Sequence, residues 1–131
     1  MQRDFTYIDD IVEGVARVLD HVAAPQIDMD MTHPDPSSSH APYHLYNIGS
    51  HQPVGLMKFI ETLEDALGRK AVKNMLPMQP GDVPATYADI EDLQKMVGFT
   101  PRTSLHDGIA RYVAWFRSYY GLRDFTTHGQ N

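Results

Sequence analysis

Two short segments carry residue types that could bind a ligand. In the first, Arg3 enters the aromatic and β-branched stretch Phe5-Thr6-Tyr7-Ile8. A planar guanidinium in such a place can hold a phosphate through two parallel hydrogen bonds while aromatic rings form the wall of the site. The alternative interpretation is an edge-strand arginine paired with a local acid such as Asp4. The residue types alone leave both interpretations open.

The second segment is a loop stiffened by two prolines and a glycine, Met78-Gln79-Pro80-Gly81-Asp82-Val83-Pro84. We expect it to present Gln79 and Asp82 on the same rim. An amide and a carboxylate held in this way can recognise a sugar hydroxyl group or the edge of a base. The competing interpretation is an ordinary Pro-Gly turn without a ligand.

Other catalytic signatures are missing from the sequence. The nine glycines include no Gly-x-Gly-x-x-Gly and no phosphate-binding P-loop, and no Gly-x-Ser-x-Gly nucleophile elbow occurs. His40 and His44 have a metal-like spacing, but a proline stands between them, so we predict surface histidines and no metal site. Acidic pairs such as Asp9-Asp10 begin predicted helices, where the helix dipole favours negative charge.

Composition narrows the class of protein and its partners. The 131 residues are 42% hydrophobic and suit one globular domain. The net charge is -6 without a basic cluster, which argues against nucleic acid and anionic membranes as partners. Apolar runs are too short to insert into a membrane. The chain has no cysteine, which fits a reducing cytoplasm, and we expect a cytoplasmic protein.

The periodicity of the first half predicts two strands and two helices. We expect strands at 5–8 and 43–48, separated by a flexible, Pro- and Ser-rich loop at 24–42. The first helix carries an apolar stripe, with Asp10 and Glu13 at capping-box spacing. The stripe consists of Ile8, Ile11, Val12, Val15, Leu19 and Val22. The second helix starts near Pro53 and ends at Gly68.

The second half predicts a third strand at 71–76 and a short helix at 90–97 that ends at Gly98. Ser104 and Asp107 have the spacing of a capping box for a last helix. The whole is a small α+β unit of short strands and about four helices. A complete doubly wound sheet would need about five or six strands, so we do not expect one.

Three strings carry a family resemblance: Arg3-Asp-Phe-Thr-Tyr-Ile-Asp-Asp10, Tyr46-Asn-Ile-Gly49 and Gln79-Pro-Gly-Asp-Val-Pro-Ala-Thr-Tyr-Ala-Asp89. In this order they resemble the nucleotide-sugar epimerases of the extended short-chain dehydrogenase/reductase family, most of all the bacterial UDP-glucuronate 4-epimerases. The resemblance covers residues 1–121, and 122–131 form a polar tail. It implies the C-terminal, UDP-sugar-binding part of an NAD(P)-binding Rossmann-type enzyme that serves polysaccharide biosynthesis.

The resemblance also implies roles for four residues. Arg3 matches the family arginine that contacts the UDP diphosphate, and Asp82 matches the aspartate that binds the ribose hydroxyl groups. Phe5 lines the nucleotide side, where other members place tyrosine. Gln79 falls where several relatives carry a second phosphate-binding arginine. Its amide can donate to phosphate but supplies no positive charge.

The family's catalytic apparatus is not in this sequence. In the family, tightly held NAD oxidises C4 of the sugar and returns the hydride to the other face, with tyrosine as the base and lysine four residues later. Lysine follows none of the seven tyrosines at that spacing. We therefore expect no catalytic and no cofactor-binding residues here, an absent N-terminal NAD-binding domain and an inactive isolated chain. The abrupt start of the first strand also suggests a piece of a longer protein.

Two alternatives remain. The chain could be the same part of a related decarboxylase or dehydratase that acts on a UDP- or dTDP-sugar. From a different class, it could be a stand-alone nucleotide-sugar-binding or regulatory module. Part of an enzyme should expose an apolar patch where its NAD-binding domain packs, and should self-associate, whereas a self-sufficient module should cover that patch.

Overall fold

The computed structural model describes residues 1–122, so residues 123–131 of the predicted tail lie outside the described part. The elements follow in the order β1 (Gln2–Asp4), α1 (Ile8–Leu19), β2 (Pro53–Gly55), α2 (Leu56–Leu67), α3 (Glu91–Val97) and α4 (Leu105–Tyr119). Four helices and a two-stranded sheet confirm the predicted small mixed unit.

Strand β1 lies between two other segments of the chain. It runs antiparallel to β2, with Arg3 opposite Val54. On its other side, the Gln2 amide donates to the Pro84 carbonyl (2.8 Å) and the Thr86 amide donates to the Gln2 carbonyl (3.2 Å). Three distant parts of the sequence therefore meet at β1.

The predicted strands were wrong in position. Helix α1 begins at Ile8, so the first strand is 2–4 and not 5–8. Residues 43–48 form no strand and take part in only a single bridge, between Ser38 and His44. Residues 71–76 are exposed coil, and Pro53 lies in β2 and not in the first turn of a helix. A strand needs a neighbour to pair with. In the described chain, 43–48 pairs only at His44 and Leu45, with Ser38 and Ser37, and 71–76 has no backbone pairing with another segment.

Most predicted helix ends are confirmed. Gly68 and Gly98 end α2 and α3 in the left-handed conformation, with φ of 69° and 62°. Ser104 caps α4 by accepting a hydrogen bond from the Asp107 amide (3.1 Å). The predicted capping role of Asp10 is wrong, because α1 has no side-chain cap. Asp10 instead accepts from the amides of Arg102 (3.4 Å) and Thr103 (3.0 Å) and ties α1 to the segment before α4.

The buried core is small. Its apolar members, from α3, α4 and the segments around them, are Ile90, Leu93, Phe99, Ile109 and Val113. Helix α1 approaches this core through Gly14, where an added Cβ would lie 3.1 Å from Ile48 Cδ1 and 3.3 Å from Phe99 Cε1. A glycine at this position permits the close approach.

The apolar stripe of α1 is largely exposed, although such a stripe usually faces the core of the protein. Ile8, Val12, Val15 and Leu19, which we call the α1 apolar face, are 61%, 58%, 49% and 77% exposed. The periodicity correctly predicted a helix with an apolar side. Within the described chain, α1 packs instead through the side that carries Gly14.

A buried carboxylate on α2 binds the segment that follows this helix. Glu64 is 5% exposed and accepts hydrogen bonds from the Lys73 ammonium and the Ala71 amide (2.8 Å). The Lys70 ammonium lies 3.2 Å from its other oxygen. The hydrogen bond from Lys73, followed by that from Ala71, lowers the pKa of Glu64 from 4.5 to about 2. Glu64 therefore connects α2 to residues 70–73.

This carboxylate should make folding sensitive to acid. A pKa lowered in the folded state stabilises the protein above the ordinary pKa, and that stabilisation is lost as the pH falls from 4.5 towards about 2. We expect Glu64→Gln to flatten this part of a plot of urea midpoint against pH, followed by circular dichroism. Glu61→Gln, at an exposed carboxylate of the same helix, is the control. An unchanged slope in Glu64→Gln would contradict the assignment.

Candidate functional site

The structure brings Arg3 and Asp82 together at the edge of β1. Nη1 of Arg3 donates to the carbonyls of Val83 (2.8 Å) and Gln2 (2.9 Å), and Nη2 lies 3.9 Å from Oδ1 of Asp82. The two side chains are 24% and 41% exposed, so a ligand can reach both. Two residues from opposite halves of the sequence thus form a charged pair, which we call the Arg3–Asp82 pair.

The loop that carries Asp82 is a tight turn. The Asp82 amide donates to the Gln79 carbonyl (3.1 Å), and Gly81 has a φ of 93°. Proline followed by a glycine with positive φ is the signature of a type II turn. Gln79 and Asp82 therefore stand at the two ends of one Pro-Gly turn. Gln79 is exposed, and its hydrogen bond to Asp82 runs through its backbone.

Phe5 follows the same strand and lines two clefts. Its ring stacks on Phe59, with centroids 4.2 Å apart and an angle of 20° between the planes. An apolar cleft of about 400 Å³ extends from Phe5 along α2 and α4 to Tyr112. A second cleft, of about 120 Å³, lies between Phe5, Gln52 and Arg102. Neither cleft is lined by the Arg3–Asp82 pair, so Phe5 and the pair occupy neighbouring but separate surfaces.

Asp4 does not pair with Arg3, the alternative that the sequence left open. Its Oδ1 accepts from the Ser50 hydroxyl (2.6 Å), and its Oδ2 accepts from the amides of His51 (3.1 Å) and Ala88 (3.2 Å). Partial burial raises the pKa of Asp4, but the hydrogen bonds from Ser50 and the backbone amides outweigh it and hold the pKa below 3.8. We call this arrangement the Asp4 knot.

Sequence reasoning missed the Asp4 knot. It treated Asp4 only as a partner for the neighbouring arginine, although a carboxylate inside an apolar strand usually has buried donors to satisfy. The structure also explains the glycine at position 49. An added Cβ there would lie 2.3 Å from the Ala88 Cβ and 2.8 Å from Oδ2 of Asp4. Such proximity requires a residue without a side chain.

The described part of the chain shows neither a metal centre nor a membrane segment. Within residues 1–122, no group of three or more His, Asp or Glu side chains could hold a metal ion. Over the same residues, every helix is too short or too polar to cross a bilayer.

Comparison with known proteins points to one family of enzymes, although no family model matches the chain. The chain is 48% identical over 124 residues to a probable UDP-glucuronate 4-epimerase of Rhizobium meliloti. The resemblance to the UDP-glucuronate 4-epimerases is confirmed. The chain is also 48% identical to the protein CapI of Staphylococcus aureus and 36% identical to UDP-glucuronate 4-epimerase 6 of Arabidopsis thaliana.

These relatives are much longer than the chain. The match covers 92% of this chain but 36% of both the Rhizobium and the Staphylococcus protein. The chain thus spans about a third of the length of the UDP-glucuronate 4-epimerases that it matches.

Solved structures of UDP-glucuronate 4-epimerases agree with this partial match. The enzyme of Bacillus cereus in complex with UDP-glucuronic acid and NAD matches with a TM-score of 0.67 at 27% identity. That match covers 89% of this chain and 32% of the Bacillus chain. The protein MoeE5, also in complex with UDP-glucuronic acid and NAD, matches with a TM-score of 0.66 at 25% identity. The chain therefore folds like about one third of these NAD-containing enzymes.

Proposed function

We propose that this chain forms the UDP-sugar-binding part of an NAD-dependent epimerase that interconverts UDP-glucuronate and UDP-galacturonate by oxidation and re-reduction at C4. The observation that carries the proposal is the Arg3–Asp82 pair. It joins one anion-binding and one hydroxyl-binding side chain at an accessible edge. The similarity to UDP-glucuronate 4-epimerases supports the choice of sugar over that of the related decarboxylases and dehydratases.

In this proposal Arg3 holds the diphosphate. Nη1 is already used by two backbone carbonyls, which fix the plane of the guanidinium. Nη2 and Nε offer their N–H groups to phosphate oxygens, in the fork that suits an arginine. Asp82 accepts hydrogen bonds from the ribose hydroxyl groups. Phe5 lines neighbouring clefts that do not include the Arg3–Asp82 pair, so we assign it no contact with the diphosphate or the ribose.

The charges around Arg3 limit the affinity of the chain alone. The Asp82 carboxylate beside it offsets the positive charge that a diphosphate needs, and Gln79 contributes a neutral amide. We therefore expect UDP to bind with a Kd no tighter than about 1 mM, which corresponds to about 4 kcal/mol. The remaining contacts belong to the rest of the longer enzyme.

The residues of this chain do not fit NAD. A dinucleotide pyrophosphate is held by a glycine-rich turn between a strand and a helix. The described structure has two strand-to-helix connections, β1 to α1 and β2 to α2, and neither carries the glycine triplet. We propose that NAD and the catalytic tyrosine lie in the rest of the longer enzyme. The absence of cysteine suits a cytoplasmic location for it.

A titration with UDP tests this proposal. In ligand-observed NMR, UDP and UDP-glucuronate should bind the chain with a similar millimolar Kd, because both present the same diphosphate and ribose. The chain with UDP-glucuronate and added NAD should form no UDP-galacturonate. No binding at about 10 mM UDP would contradict the proposal, since it would place the Kd above the millimolar range that we expect. A micromolar Kd would favour a complete, stand-alone binding module instead.

The exposed α1 apolar face also favours the interpretation that the chain is part of a larger enzyme over the interpretation that it is a stand-alone module. Its four side chains are between 49% and 77% exposed, and they form one continuous stripe along α1. A monomeric module would have to keep this stripe in water, at a cost of about 25 cal/mol per Å². We propose that the NAD-binding part of the longer enzyme covers this face.

Without that partner, the isolated chain should self-associate through the α1 apolar face. We expect Val15→Glu to shift sedimentation velocity profiles towards the monomer, because it places a charge in the middle of the stripe. Ala110→Glu adds the same charge at an exposed position of α4 and should leave the profile unchanged. A wild-type chain that stays monomeric at high concentration would contradict this prediction.

A further inference from the structure

The Asp4 knot gathers hydrogen-bond donors from both sides of β1. On the β2 side, the donors are the Ser50 hydroxyl and the backbone amides of His51 and Gln52. On the opposite side, the donor is the Ala88 amide. One carboxylate thus connects the central strand to both segments that flank it.

The segment that contains Ala88 continues directly from the loop with Asp82. Between them, Thr86 accepts a hydrogen bond from the Asp4 amide through its hydroxyl (3.3 Å), and the Thr86 amide donates to the carbonyl of Gln2. Asp4 therefore binds residues 86–88 through both its backbone and its side chain. Arg3, the next residue along β1, reaches Val83 of the same loop.

Residues 49–51, on the β2 side of the knot, contact the 82–88 loop at residues 87 and 88. His51, with a φ of 59°, places its Nδ1 3.0 Å from the Ala88 carbonyl, and its Nε2 lies 2.5 Å from the Tyr87 hydroxyl. Gly49 lets the backbone pass Ala88 without a clash. Residues 49–51 and 87–88 therefore form one packed layer around the Asp4 carboxylate.

From this geometry we propose that Asp4 is the positioning residue of the nucleotide-binding edge. Its ionised carboxylate holds the 82–88 loop in register with β1 and thereby sets the distance between the Arg3 guanidinium and the Asp82 carboxylate. The inference rests on the proposed function for its ligand. It adds a residue that does not contact the nucleotide and acts through the loop.

The chemistry requires a carboxylate and not an amide. Both oxygens of Asp4 accept from N–H or O–H donors, and Oδ2 alone accepts from two backbone amides. Asp4→Asn replaces one acceptor oxygen with an NH₂ group that faces a donor, which leaves at least one donor unsatisfied. The lowered pKa of Asp4 agrees with a carboxylate that is stabilised in its charged form.

The experiment compares Asp4→Asn with Asp10→Asn in the full chain. Asp10 is the matched control, because its carboxylate also accepts two backbone amides, but those belong to the segment before α4. Amide hydrogen exchange without ligand and UDP affinity by ligand-observed NMR are measured well below both unfolding temperatures. In Asp4→Asn, the amides of Thr86 and Ala88 should exchange about tenfold faster and UDP should bind at least about fivefold more weakly. Asp10→Asn should lower the unfolding temperature and leave both values unchanged.

Ser50→Ala provides a second, milder variant in case Asp4→Asn does not fold. It removes the shortest hydrogen bond of the knot and keeps all the backbone donors. The exchange of Ala88 should then accelerate about threefold, with a weaker loss of UDP affinity.

Two results would overturn the inference. One is wild-type exchange of Thr86 and Ala88 in both Asp4→Asn and Ser50→Ala. The other is an equal loss of UDP affinity in Asp4→Asn and Asp10→Asn, which would mean that Asp4 acts through general stability. If wild-type chain shows no binding of UDP, the proposed function fails, while the exchange data still decide whether Asp4 holds the loop.

Discussion

Replacing Arg3 with alanine should abolish the measurable binding of UDP to this chain. The guanidinium is the positively charged group of the Arg3–Asp82 pair, and without it a diphosphate would face the Asp82 carboxylate alone. A charge-assisted hydrogen bond contributes about 1.5–3 kcal/mol, so the loss should weaken binding at least about tenfold. From a starting Kd of about 1 mM, this moves binding beyond the range of ligand-observed NMR.

Two further substitutions separate the possible causes. Arg3→Lys keeps the charge but loses the planar fork, so its affinity should fall between those of the wild type and Arg3→Ala. Arg111→Ala removes the same charge from an exposed arginine of α4 that lies 3.8 Å from Asp9 of α1. It should leave UDP binding unchanged. Wild-type affinity in Arg3→Ala would show that another group binds the phosphates.

The second large effect is expected at Gly49. An alanine Cβ there would lie 2.3 Å from the Ala88 Cβ, a distance that real Cβ atoms do not tolerate, and 2.8 Å from Oδ2 of Asp4. The backbone must therefore move, and the Asp4 knot loses its geometry. Overpacking typically costs 1–3 kcal/mol, and we expect about 3 kcal/mol here because hydrogen bonds of the knot are lost as well.

Urea denaturation followed by circular dichroism measures this cost. Gly55→Ala is the matched control, because nothing lies within 4 Å of its added Cβ and its φ of -65° suits alanine. Gly55→Ala should remain within about 0.5 kcal/mol of the wild type. Equal midpoints for the two variants would contradict the packing around Asp4 and Ala88.

The helices were predictable because their signals are local. A left-handed glycine at 68 or 98 and a serine cap at 104 act within one turn of the helix that they end or begin. The alternation at 43–48 and 71–76 is also local, but a strand exists only where another segment pairs with it. The sequence could not show that β1 pairs with 53–55 and with 84–86, or that 43–48 and 71–76 form no strand.

For the candidate site, the sequence by itself determined the chemistry that is present: an arginine beside an aromatic stretch, a carboxylate next to Pro-Gly, and no cysteine, no glycine fingerprint and no Tyr-x-x-x-Lys. Only the tertiary structure decided that Arg3 meets Asp82 and that Asp4 binds Ser50 and Ala88. It also left the α1 apolar face exposed. The physical reason is the separation along the sequence between interacting residues. Side-chain chemistry and helix caps depend on neighbours within a few residues. Contacts across β1 join positions that come together only when the whole chain packs.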